Sequence, residues 1–559
     1  MNKINNILDG GGFYFSPMGG SEEFGVNFNL YVCDGEYLII DCGIGFADDR
    51  YPGIDLLLPD PSFIEQNKDK LAGIVITHAH EDHVGAVAYL WERLQCPIYA
   101  TPFTACVLRK KLEQEGIFDA HINVIEQNNS FEIGDGFSVK FIPVSHSIPD
   151  ASSMLIKTKY GNIIHSGDWN LDQDPIIGIK TEAQAFESIG DGGVLAYIGD
   201  STNSQVSGYA GSENDVAKGL EAEISRHKKG KIFVTMFASN IGRIISIARA
   251  AQKNERSVAL VGRSLHRMVG VAMECGYMDG LPDFLEEEDI EHISDDNLVI
   301  IVTGSQGEHR AALARISRSD HRRVSLNRGD TVIFSSRAIP GNERTISAIK
   351  NNLSAAGVNM VTPRDTKNLI HVSGHPCKDE VISMLEWLRP TCVIPVHGER
   401  QQLDAQGQIA NDLNVDHVIV PNNGSVIRLA PDVPKIVGTI ETGLLAVDQR
   451  RIIPATHQSI TARRKLQYSG AVHASLVLDN NLELLGNIKI DTVGLSCKRS
   501  DDCIIEDIRE HILDVLDSLD IGLGEDEIAE KIRISLRKYV LNILGLRPKT
   551  TMHVTLVDI

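Results

Sequence analysis

The first 200 residues alternate short apolar runs with polar turns, a pattern that predicts β-strands joined by loops. Such runs occupy residues 30–33, 37–40, 73–77, 137–144 and 162–166. Each of the last four is followed, within two residues, by a histidine or an aspartate. Because strands hold the loops at their ends in place, binding and catalytic groups are often carried there. We therefore expect the chemistry of this protein at these strand ends.

Between residues 201 and 365 the pattern changes to apolar strands that alternate with helices. Strands are predicted at 231–237, 258–261, 298–303 and 331–335, with a helix at 240–253 after the first. Continuous apolar strands separated by helices are typical of a parallel, doubly wound sheet. Strands that end in histidines resume near residues 369 and 392, so this block is predicted to be a domain inserted into the first one.

The tail after residue 430 has no cluster of metal-binding side chains. Residues 431–462 are predicted to be a connector with some strands, and 474–485 a hairpin. Amphipathic helices are predicted over 504–519 and 528–543, before a last strand at 553–557. The apolar stripes of the two helices are first interpreted as core packing within a small α+β domain, but they also exceed what so small a domain buries easily. We therefore predict that the tail drives self-association.

Composition limits the classes of function. The 559 residues suffice for several domains, and no apolar run approaches the roughly 18 residues of a membrane span. The nine cysteines form no CxxC pair, and the N-terminus does not resemble a secretory signal, so we expect a cytoplasmic protein with reduced thiols. The net charge of −21 argues against a protein that coats nucleic acid electrostatically. It does not exclude an enzyme that gathers a polyanion at a metal site.

The strongest signal for chemistry is the string Thr-His-Ala-His-Glu-Asp-His at residues 77–83. His78, His80, Asp82 and His83 lie within six residues, directly after an apolar strand. A loop at a strand end can aim alternate side chains at one cation and the next two at a neighbouring one. Imidazole nitrogen and carboxylate oxygen are the mixture that zinc takes when it keeps a position open for water.

This HxHxDH string resembles the signature of the metallo-β-lactamase superfamily, whose other motifs follow in order. Asp41 resembles the first motif, an acid that supports the metal loop from behind. His146 matches the third motif, although alone it could equally be a surface histidine. Asp168 matches the fourth, a carboxylate able to bridge two metals.

Later motifs resemble the beta-CASP nucleases, which insert a nucleic-acid-recognition domain into this fold. Asp200 resembles motif A, the string His-Val-Ser-Gly-His at 371–375 motif B, and His397 motif C. Two further strings, at 303–308 and 339–343, resemble the ribonuclease J family in particular. The resemblance runs from about residue 13 to 429 and more weakly through the tail.

The resemblance implies an α/β protein: a metallo-β-lactamase αββα sandwich with an inserted doubly wound beta-CASP domain and a small α+β C-terminal domain. The predicted boundaries are 1–204 and 365–430 for the metal domain, 205–364 for the insertion, 431–462 for the connector and 463–559 for the C-terminal domain.

The resemblance also implies two zinc ions, with manganese as the alternative. One ion would be held by His78, His80 and His146. The other would be held by Asp82, His83 and His397, with Asp168 between them. A shared hydroxide would attack the scissile phosphorus. His375 is the candidate acid for the leaving oxygen, oriented by Asp200.

The segment His371, Val372, Ser373, Gly374 and His375 is expected to contact a substrate phosphate, because glycine permits close approach and serine adds a donor. The alternative is a glycine turn with a solvated His371. Where Gly242 stands, the family pattern suggests a histidine, which puts a substrate contact there in doubt. Arg263 and Arg337 could meet RNA phosphates, although surface solvation suits them better.

The predicted function is a 5′→3′ exonuclease acting on single-stranded 5′-monophosphate RNA in rRNA processing and mRNA decay, with endonuclease activity left open. A homodimer or homotetramer, other RNA-decay proteins as partners and no membrane are expected. The alternatives are another hydrolase of the superfamily and a catalytically weak scaffold subunit of an RNA degradation complex. The scaffold would have lost ligands, and here every expected ligand is present.

Overall fold

The computed structural model describes residues 2–339, 341–495 and 501–558 and divides into two compact units. The first unit comprises 1–45 and 58–443, and the second comprises 46–57 and 444–559. Pro340, in the string at 339–343, lies outside the described residues. Within the described ranges, no helix is long and apolar enough to cross a membrane.

The elements before the insertion follow the predicted rhythm of short strands and polar loops. Most belong to the first unit, and the short strands β4 and β5 join a separate sheet described below. In chain order they are α1 (Asn2–Asp9), β1 (Phe13–Gly19), β2 (Phe28–Cys33), β3 (Glu36–Ile40), β4 (Gly45–Phe46), β5 (Leu56–Pro59), α2 (Ser62–Glu65), β6 (Leu71–Val75), α3 (Glu81–Val84), α4 (Val87–Leu94), β7 (Ile98–Ala100) and α5 (Pro102–Gln114). The next are β8 (Ile122–Val124), β9 (Ser130–Ile133), β10 (Phe137–Pro143), β11 (Ser152–Thr158), β12 (Gly161–His165), α6 (Ala183–Asp191) and β13 (Ala196–Asp200).

The inserted block is a parallel sheet with helices on both faces, which confirms the predicted doubly wound arrangement. Its elements are α7 (Glu213–Arg226), β14 (Ile232–Thr235), α8 (Ile241–Lys253), β15 (Ser257–Val261), α9 (Arg263–Glu274), β16 (Leu298–Val302), α10 (Ala312–Ser317), β17 (Thr331–Phe334), α11 (Glu343–Ala355) and β18 (Asn359–Val361). The strand order is β15-β16-β14-β17-β18, and every adjacent pair is parallel. Val234 packs with Ile244 of α8 on one face, and Phe233 with Leu353 of α11 on the other.

After the insertion the chain returns to the first unit. The returning elements are α12 (Lys378–Leu388), β19 (Cys392–Val396), α13 (Arg400–Asp412), β20 (His417–Val418), β21 (Ser425–Ala430) and β22 (Lys435–Thr439). They complete an eight-stranded sheet, β22-β21-β1-β2-β3-β6-β7-β8, and a seven-stranded sheet, β20-β19-β13-β12-β11-β10-β9.

The two large sheets pack face to face. One buried cluster takes Phe15 and Tyr31 from the first sheet, and Phe141 and Ile163 from the second. The parallel neighbours β12, β13 and β19 bring their carboxyl ends to one edge of the seven-stranded sheet. Asp168, Asp200 and His397 lie at these strand ends, whereas His78–His83 follow β6 and His146 follows β10, so the candidate site residues lie at strand ends as the sequence pattern predicts.

The second unit contains two sheets. Its elements are β23 (Leu444–Asp448), β24 (Arg451–Pro454), α14 (Gln458–Ser469), β25 (Ala471–Asp479), β26 (Lys489–Val493), α15 (Asp501–Asp517), α16 (Glu525–Leu544) and β27 (Lys549–Val557). The sheet orders are β24-β23-β5-β4 and β26-β25-β27. The predicted connector at 431–462 therefore contributes strands to both units, because its apolar runs pair with β21 and with the segment around β5. The predicted hairpin is a tight turn with a single bridge, Leu478 to Leu484, and the partners of β25 are β26 and β27.

Most residues of the apolar stripes of α15 and α16 are buried within the second unit, whereas Ile543 is 44% exposed. The buried members are Ile504, Ile508, Ile512, Leu516, Ile528, Ile532, Leu536 and Val540. They pack on Val472, Leu476 and Leu478 of the three-stranded sheet. The predicted surplus of apolar surface is therefore wrong for these residues, because their own sheet covers them. Self-association and the domain boundaries stay predictions.

Candidate metal centre

The HxHxDH loop is held from behind by a buried carboxylate. Asp41 follows β3 with a left-handed backbone, φ 65°, and is fully buried. Its Oδ1 accepts the backbone N–H of Thr77 at 2.8 Å, and the Thr77 hydroxyl donates to Oδ2 at 2.9 Å. The Nδ1 of His83 lies 2.7 Å from Oδ2 of the same carboxylate. Asp41 thus fixes both ends of the loop that carries the histidines.

Gly43 lets the short helix α3 come close to the end of β3. A Cβ atom at Gly43 would lie 1.6 Å from the carbonyl oxygen of Asp82, a distance at which backbone would have to move. The N–H of Cys42 donates to the carbonyl of His83 at 2.7 Å, which closes the same contact. Glycine is therefore required here for the loop to reach its position.

The first ligand group consists of His78, His80, His146 and Asp168. The Nδ1 atom of His80 lies 3.1 Å from Nε2 of His78 and 3.0 Å from Nε2 of His146. Nitrogens about 2.0–2.1 Å from a tetrahedral zinc lie roughly 3.3 Å apart, so this spacing suits a shared cation.

The second group consists of Asp82, His83, His397 and the same Asp168. Nε2 of His397 lies 3.1 Å from Oδ2 of Asp82, and Nε2 of His83 lies 3.2 Å from Oδ2 of Asp168. His397 follows β19 with a left-handed backbone, φ 56°. All seven residues that the sequence nominated as ligands are therefore brought together, in the two predicted sets.

The surroundings of Asp168 show whether the residues of this centre suit metal ions. Its carboxylate is 2% exposed, and its Oδ1 has no hydrogen-bond partner among the described residues. A buried, ionised oxygen without a partner is costly unless a cation compensates it. Oxygens of Asp168 lie 3.2–3.8 Å from nitrogens of His78, His83, His146 and His397. The residues therefore fit two divalent cations that share Asp168.

The pKa values of two histidines in the first group favour the neutral imidazoles that bind a metal cation. Burial, together with the neighbouring His146, lowers the pKa of His80 to about 3. Burial also lowers the pKa of His146 to about 4, although Asp168 opposes the shift. Neutral imidazoles keep the lone pair that a metal needs.

The second group has an excess of negative charge. Burial alone would lower the pKa of His397, but Asp168, Asp82 and Asp200 outweigh it and raise the pKa to about 9. The pKa of Asp168 lies well below its ordinary value, because His397, His83 and His375 overcome its burial. A cation in this group would take the place of the protons that these carboxylates attract.

Outer hydrogen bonds fix which nitrogen of each ligand faces the centre. Nδ1 of His146 lies 2.8 Å from the carbonyl oxygen of Gly374, so this nitrogen carries the proton and Nε2 stays free. Nδ1 of His397 lies 2.9 Å from the hydroxyl of Thr202. Nothing in the sequence pattern singles out Thr202, since hydroxyl residues next to an acidic motif are common in turns.

The candidate acid His375 contacts the carboxylate predicted to orient it. Its Nδ1 lies 2.8 Å from Oδ2 of Asp200, which is buried at the end of β13. Burial alone would lower the pKa of His375, but the carboxylates of Asp200 and Asp168 outweigh it, and the pKa is raised. About a quarter of the His375 side chain is exposed. The partly exposed imidazole of His375 therefore lies beside two carboxylates that favour its protonated form.

The predicted phosphate-contacting turn lies against the first ligand group. The hydroxyl of Ser373 accepts from Asn203 Nδ2 at 2.8 Å and from the N–H of His375 at 3.2 Å, which leaves its own hydrogen available to donate. Val372 is buried. A Cβ atom at Gly374 would lie 2.8–2.9 Å from the ring of His146, so the turn approaches the ligand as closely as glycine permits.

His371 is tied to the inserted domain by a residue that sequence reasoning missed. Arg243, 1% exposed on α8, donates from Nη1 to Nδ1 of His371 at 3.0 Å and to the carbonyl of Ser335 at 2.9 Å. Its other nitrogens bind Glu213. Burial, Arg243 and Arg337 lower the pKa of His371 to about 3. His371 is therefore neutral and presents an N–H from Nε2, and the solvated-turn alternative does not hold.

Gly242, Arg263 and Arg337, the other positions considered for substrate contacts, lie outside the two ligand groups. Gly242 is the second residue of α8, and a Cβ there would lie 3.4 Å from Ile177 and 3.5 Å from Ile176. A histidine at this position would have to displace these two side chains. Arg263 and Arg337 are both exposed, and the charge of Arg337 acts on His371.

Comparisons with known proteins identify the family of this chain. Residues 22–205 match the model of the metallo-beta-lactamase superfamily, and 229–353 that of the ribonuclease J beta-CASP domain. Residues 341–421 match the RNA specificity domain of Zn-dependent metallo-hydrolases, and 458–557 the ribonuclease J C-terminal domain. The chain is 38% identical to ribonuclease J of Sinorhizobium meliloti over 551 residues, which cover 97% of each chain. The chain belongs to the ribonuclease J family.

Other relatives support the same assignment. Ribonuclease J of Helicobacter pylori (strain ATCC 700392 / 26695) is 33% identical over 88% of this chain and 72% of its own. Ribonuclease J of Synechocystis is 34% identical over 86% and 75%, respectively. A crystal structure of a protein of unknown function from Enterococcus faecalis V583 shares the fold, with a TM-score of 0.52 and 15% identity over 74% of this chain and 99% of its own.

Membership in the family establishes the coarse function. The chain has a metallo-β-lactamase domain, an inserted beta-CASP domain and a C-terminal domain, as predicted. It is a hydrolytic ribonuclease of the metal-dependent class and binds RNA. This family assignment excludes the alternative that the chain is another kind of hydrolase of the superfamily.

Proposed function

We propose that this ribonuclease is a two-zinc 5′→3′ exonuclease that acts on single-stranded RNA with a 5′-monophosphate. The observation that carries the proposal is the buried Asp168, which is shared by two ligand groups and keeps an oxygen without a partner. Seven side chains exceed the needs of one tetrahedral ion, which supports two. Histidine-rich donors suit zinc, and manganese is the alternative.

Two such cations would supply a hydroxide at neutral pH and neutralise charge on the phosphoryl oxygens. The protein orients the centre through Asp41, Gly374 and Thr202. The acceptor oxygens of Asp41 and Gly374 place a proton on Nδ1 of His83 and His146, and the Thr202 hydroxyl holds the ring of His397 in position. This rigidity matters because misplacement by about 1 Å can cost roughly a hundredfold in rate.

His375 would donate the proton that the leaving 3′-oxygen needs. Asp200 accepts from Nδ1 of the ring, so the opposite nitrogen, Nε2, is free to face the substrate. The carboxylates of Asp200 and Asp168 raise the pKa of this imidazole, which favours the protonated form that a general acid needs. The products would carry 5′-phosphates and 3′-hydroxyls.

The terminal 5′-phosphate would be held by the turn at 371–375. The N–H of His371 and the hydroxyl of Ser373 are both available to donate, and the turn contacts the first ligand group through Gly374. A phosphate gripped one nucleotide from the centre would lead to release of single nucleotides. A 5′-triphosphate brings more charge and bulk to the same place and should fit less well.

We also propose a cytoplasmic role in rRNA processing and mRNA decay, in a homodimer or homotetramer with other RNA-decay proteins. The seven cysteines whose side chains are described are free thiols, which suits a reducing compartment. The domain boundaries proposed are those at residues 204, 364, 430 and 462.

The deciding experiment is a time course on 3′-labelled RNA that begins with a 5′-monophosphate, a triphosphate or a hydroxyl. The proposal expects substrate that shortens from its 5′ side, nucleoside 5′-monophosphates as products and the fastest reaction on the monophosphate. Discrete internal fragments in equal yield from all three RNAs would contradict it and would assign an endonuclease.

A further inference from the structure

Two cysteines face each other where α5 of the metal domain meets the end of α9 of the inserted domain. Phe103, Cys106 and Lys110 lie on one side of α5, at helical spacings of three and four residues. Phe103 packs edge-on against Tyr277, with ring centroids 5.7 Å apart, and Lys110 pairs with Glu274 at 2.8 Å. Cys106 and Cys275 lie between these two contacts.

Because the Phe103–Tyr277 and Lys110–Glu274 contacts flank them, the thiols of Cys106 and Cys275 face each other. Cys106 is close enough to Cys275 that, after burial, the contact with its thiol is the largest cause raising the pKa of Cys275, to about 12. Both side chains are only partly buried, so a small oxidant can reach them. This distinguishes them from Cys33, Cys42 and Cys392, which are buried in the core.

The same interface contacts two segments that carry candidate metal ligands. Glu81, inside the HxHxDH loop, pairs with Arg267 of α9 at 3.2 Å and with Lys111 of α5 at 2.6 Å. Asp150, in the loop after His146, accepts the hydroxyl of Tyr277 at 2.6 Å. A bond across this interface therefore fixes the inserted domain against two segments that carry ligands.

We propose that Cys106 and Cys275 are a reversible modification site, at which a disulfide fastens the inserted domain to the metal domain and slows RNA hydrolysis. Five of the seven ligand side chains are buried, with His78, Asp168 and His397 each no more than 5% exposed, whereas His80 and Asp82 are only partly buried. A polyanion must enter between the domains to reach them, so a covalent link hinders entry. Disulfides that form in reducing compartments are usually transient and serve catalysis or redox sensing.

The chemistry is two successive thiol–disulfide exchanges with a small disulfide such as oxidised glutathione. The Cys106 thiolate attacks one sulfur of the small disulfide, and a glutathione thiolate leaves and takes up a proton. Cys275 then gives up its proton, attacks the mixed disulfide at Cys106 and releases the second glutathione thiol. Two protein thiols are oxidised, and one small disulfide is reduced to two thiols. The exchange balances in the same way if Cys275 attacks first and Cys106 resolves the mixed disulfide.

The test uses the full-length, metal-loaded enzyme incubated with oxidised glutathione. Non-reducing peptide mass spectrometry should show a peptide that links Cys106 to Cys275. RNA hydrolysis should fall at least tenfold and recover with dithiothreitol. Hydrolysis of bis-p-nitrophenyl phosphate, which is small enough to enter without separation of the domains, should change less than twofold.

The variants Cys106→Ala and Cys275→Ala should hydrolyse RNA normally and become insensitive to the oxidant, whereas the control Cys33→Ala should respond like wild type. The absence of the linked peptide would overturn the proposal. So would full cross-linking with RNA hydrolysis unchanged, and so would equal loss of activity in the Cys106→Ala variant. Loss of both substrates alike would place the effect at the centre and not at the interface, which also overturns it.

Discussion

The Nδ1 atom of His146 donates to the carbonyl oxygen of Gly374 across 2.8 Å, and this bond joins a metal ligand to the turn that is proposed to hold the substrate phosphate. The two residues lie 228 positions apart in the chain. Their contact means that the phosphate-binding turn and the first ligand group cannot move independently. Metal binding and substrate grip should therefore be sensitive to the same substitutions.

Replacing Gly374 by alanine tests that coupling. The added methyl would lie 2.8 Å from Cε1 of His146 and 3.0 Å from the hydroxyl of Ser147, so the ring must shift. We expect RNA hydrolysis to fall at least tenfold and metal content to drop, measured by elemental analysis after dialysis. Gly270→Ala, on a helix with open space around the position, is the matched control and should behave as wild type. A Gly374→Ala enzyme with full metal content and activity would show that the ring has room.

The metal stoichiometry should be two per chain. His80→Ala removes the nitrogen that lies between those of His78 and His146, and we expect the count to fall toward one and hydrolysis to be abolished. The second unit should stay folded in this variant, as judged by limited proteolysis. A wild-type count that stays near one with metal in excess would refute the two-metal proposal. Activity of His80→Ala within tenfold of wild type would place the chemistry elsewhere.

His375→Gln should separate proton donation from metal binding. Because general acids contribute roughly 10²–10⁴-fold, we expect kcat on RNA to fall by at least a hundredfold while two metals remain bound. A p-nitrophenyl ester of a nucleotide has a leaving group that needs no proton, so its hydrolysis should fall much less. Equal losses on both substrates would assign His375 a role in positioning and not as an acid.

The core of the second unit offers a prediction about stability. Ile532 is fully buried against the three-stranded sheet, whereas Ile534, on the same helix, is 43% exposed. Truncation of a buried isoleucine to alanine costs about 2–5 kcal/mol, so Ile532→Ala should lower the free energy of unfolding by that amount in urea. Ile534→Ala should change it by less than about 1 kcal/mol. Similar losses in both variants would indicate that the face of Ile534 is also covered in solution.

Much of the site could be predicted because its ligands are local and of unusual type. His78 to His83 is a string that structural roles rarely explain, and motif order supplied Asp41, His146, Asp168 and His397. The roles of these residues as ligands stay predictions that the geometry favours. The predicted contacts of His375 with Asp200 likewise depended on motif order, since the two residues lie 175 positions apart.

Contacts between residues and strands that lie far apart in the chain could not be predicted from the sequence. Arg243 looks like an ordinary charged residue of an amphipathic helix, and its burial follows only from the approach of Glu213 and His371. The strands at 45–46 and 56–59 join the sheet of 444–454, although nearly 400 residues separate them. Pattern identifies a strand, but its neighbours depend on how the whole chain packs. The burial of most of the two helix stripes of the tail likewise depends on the sheet that packs against them.

Asp41 and His397 both follow a strand and both have left-handed backbones, at φ 65° and 56°. At His397 this conformation costs roughly 1–2 kcal/mol, which the surrounding fold must offset. Selection for heat resistance alone would therefore favour glycine or asparagine at His397, and the resulting protein would lack a proposed metal ligand. Asp41 differs, because its buried carboxylate holds Thr77 and His83, so its replacement would lower stability as well. Stabilisation campaigns on this enzyme should consequently leave both positions fixed and seek their gains in the helices and loops away from the strand ends.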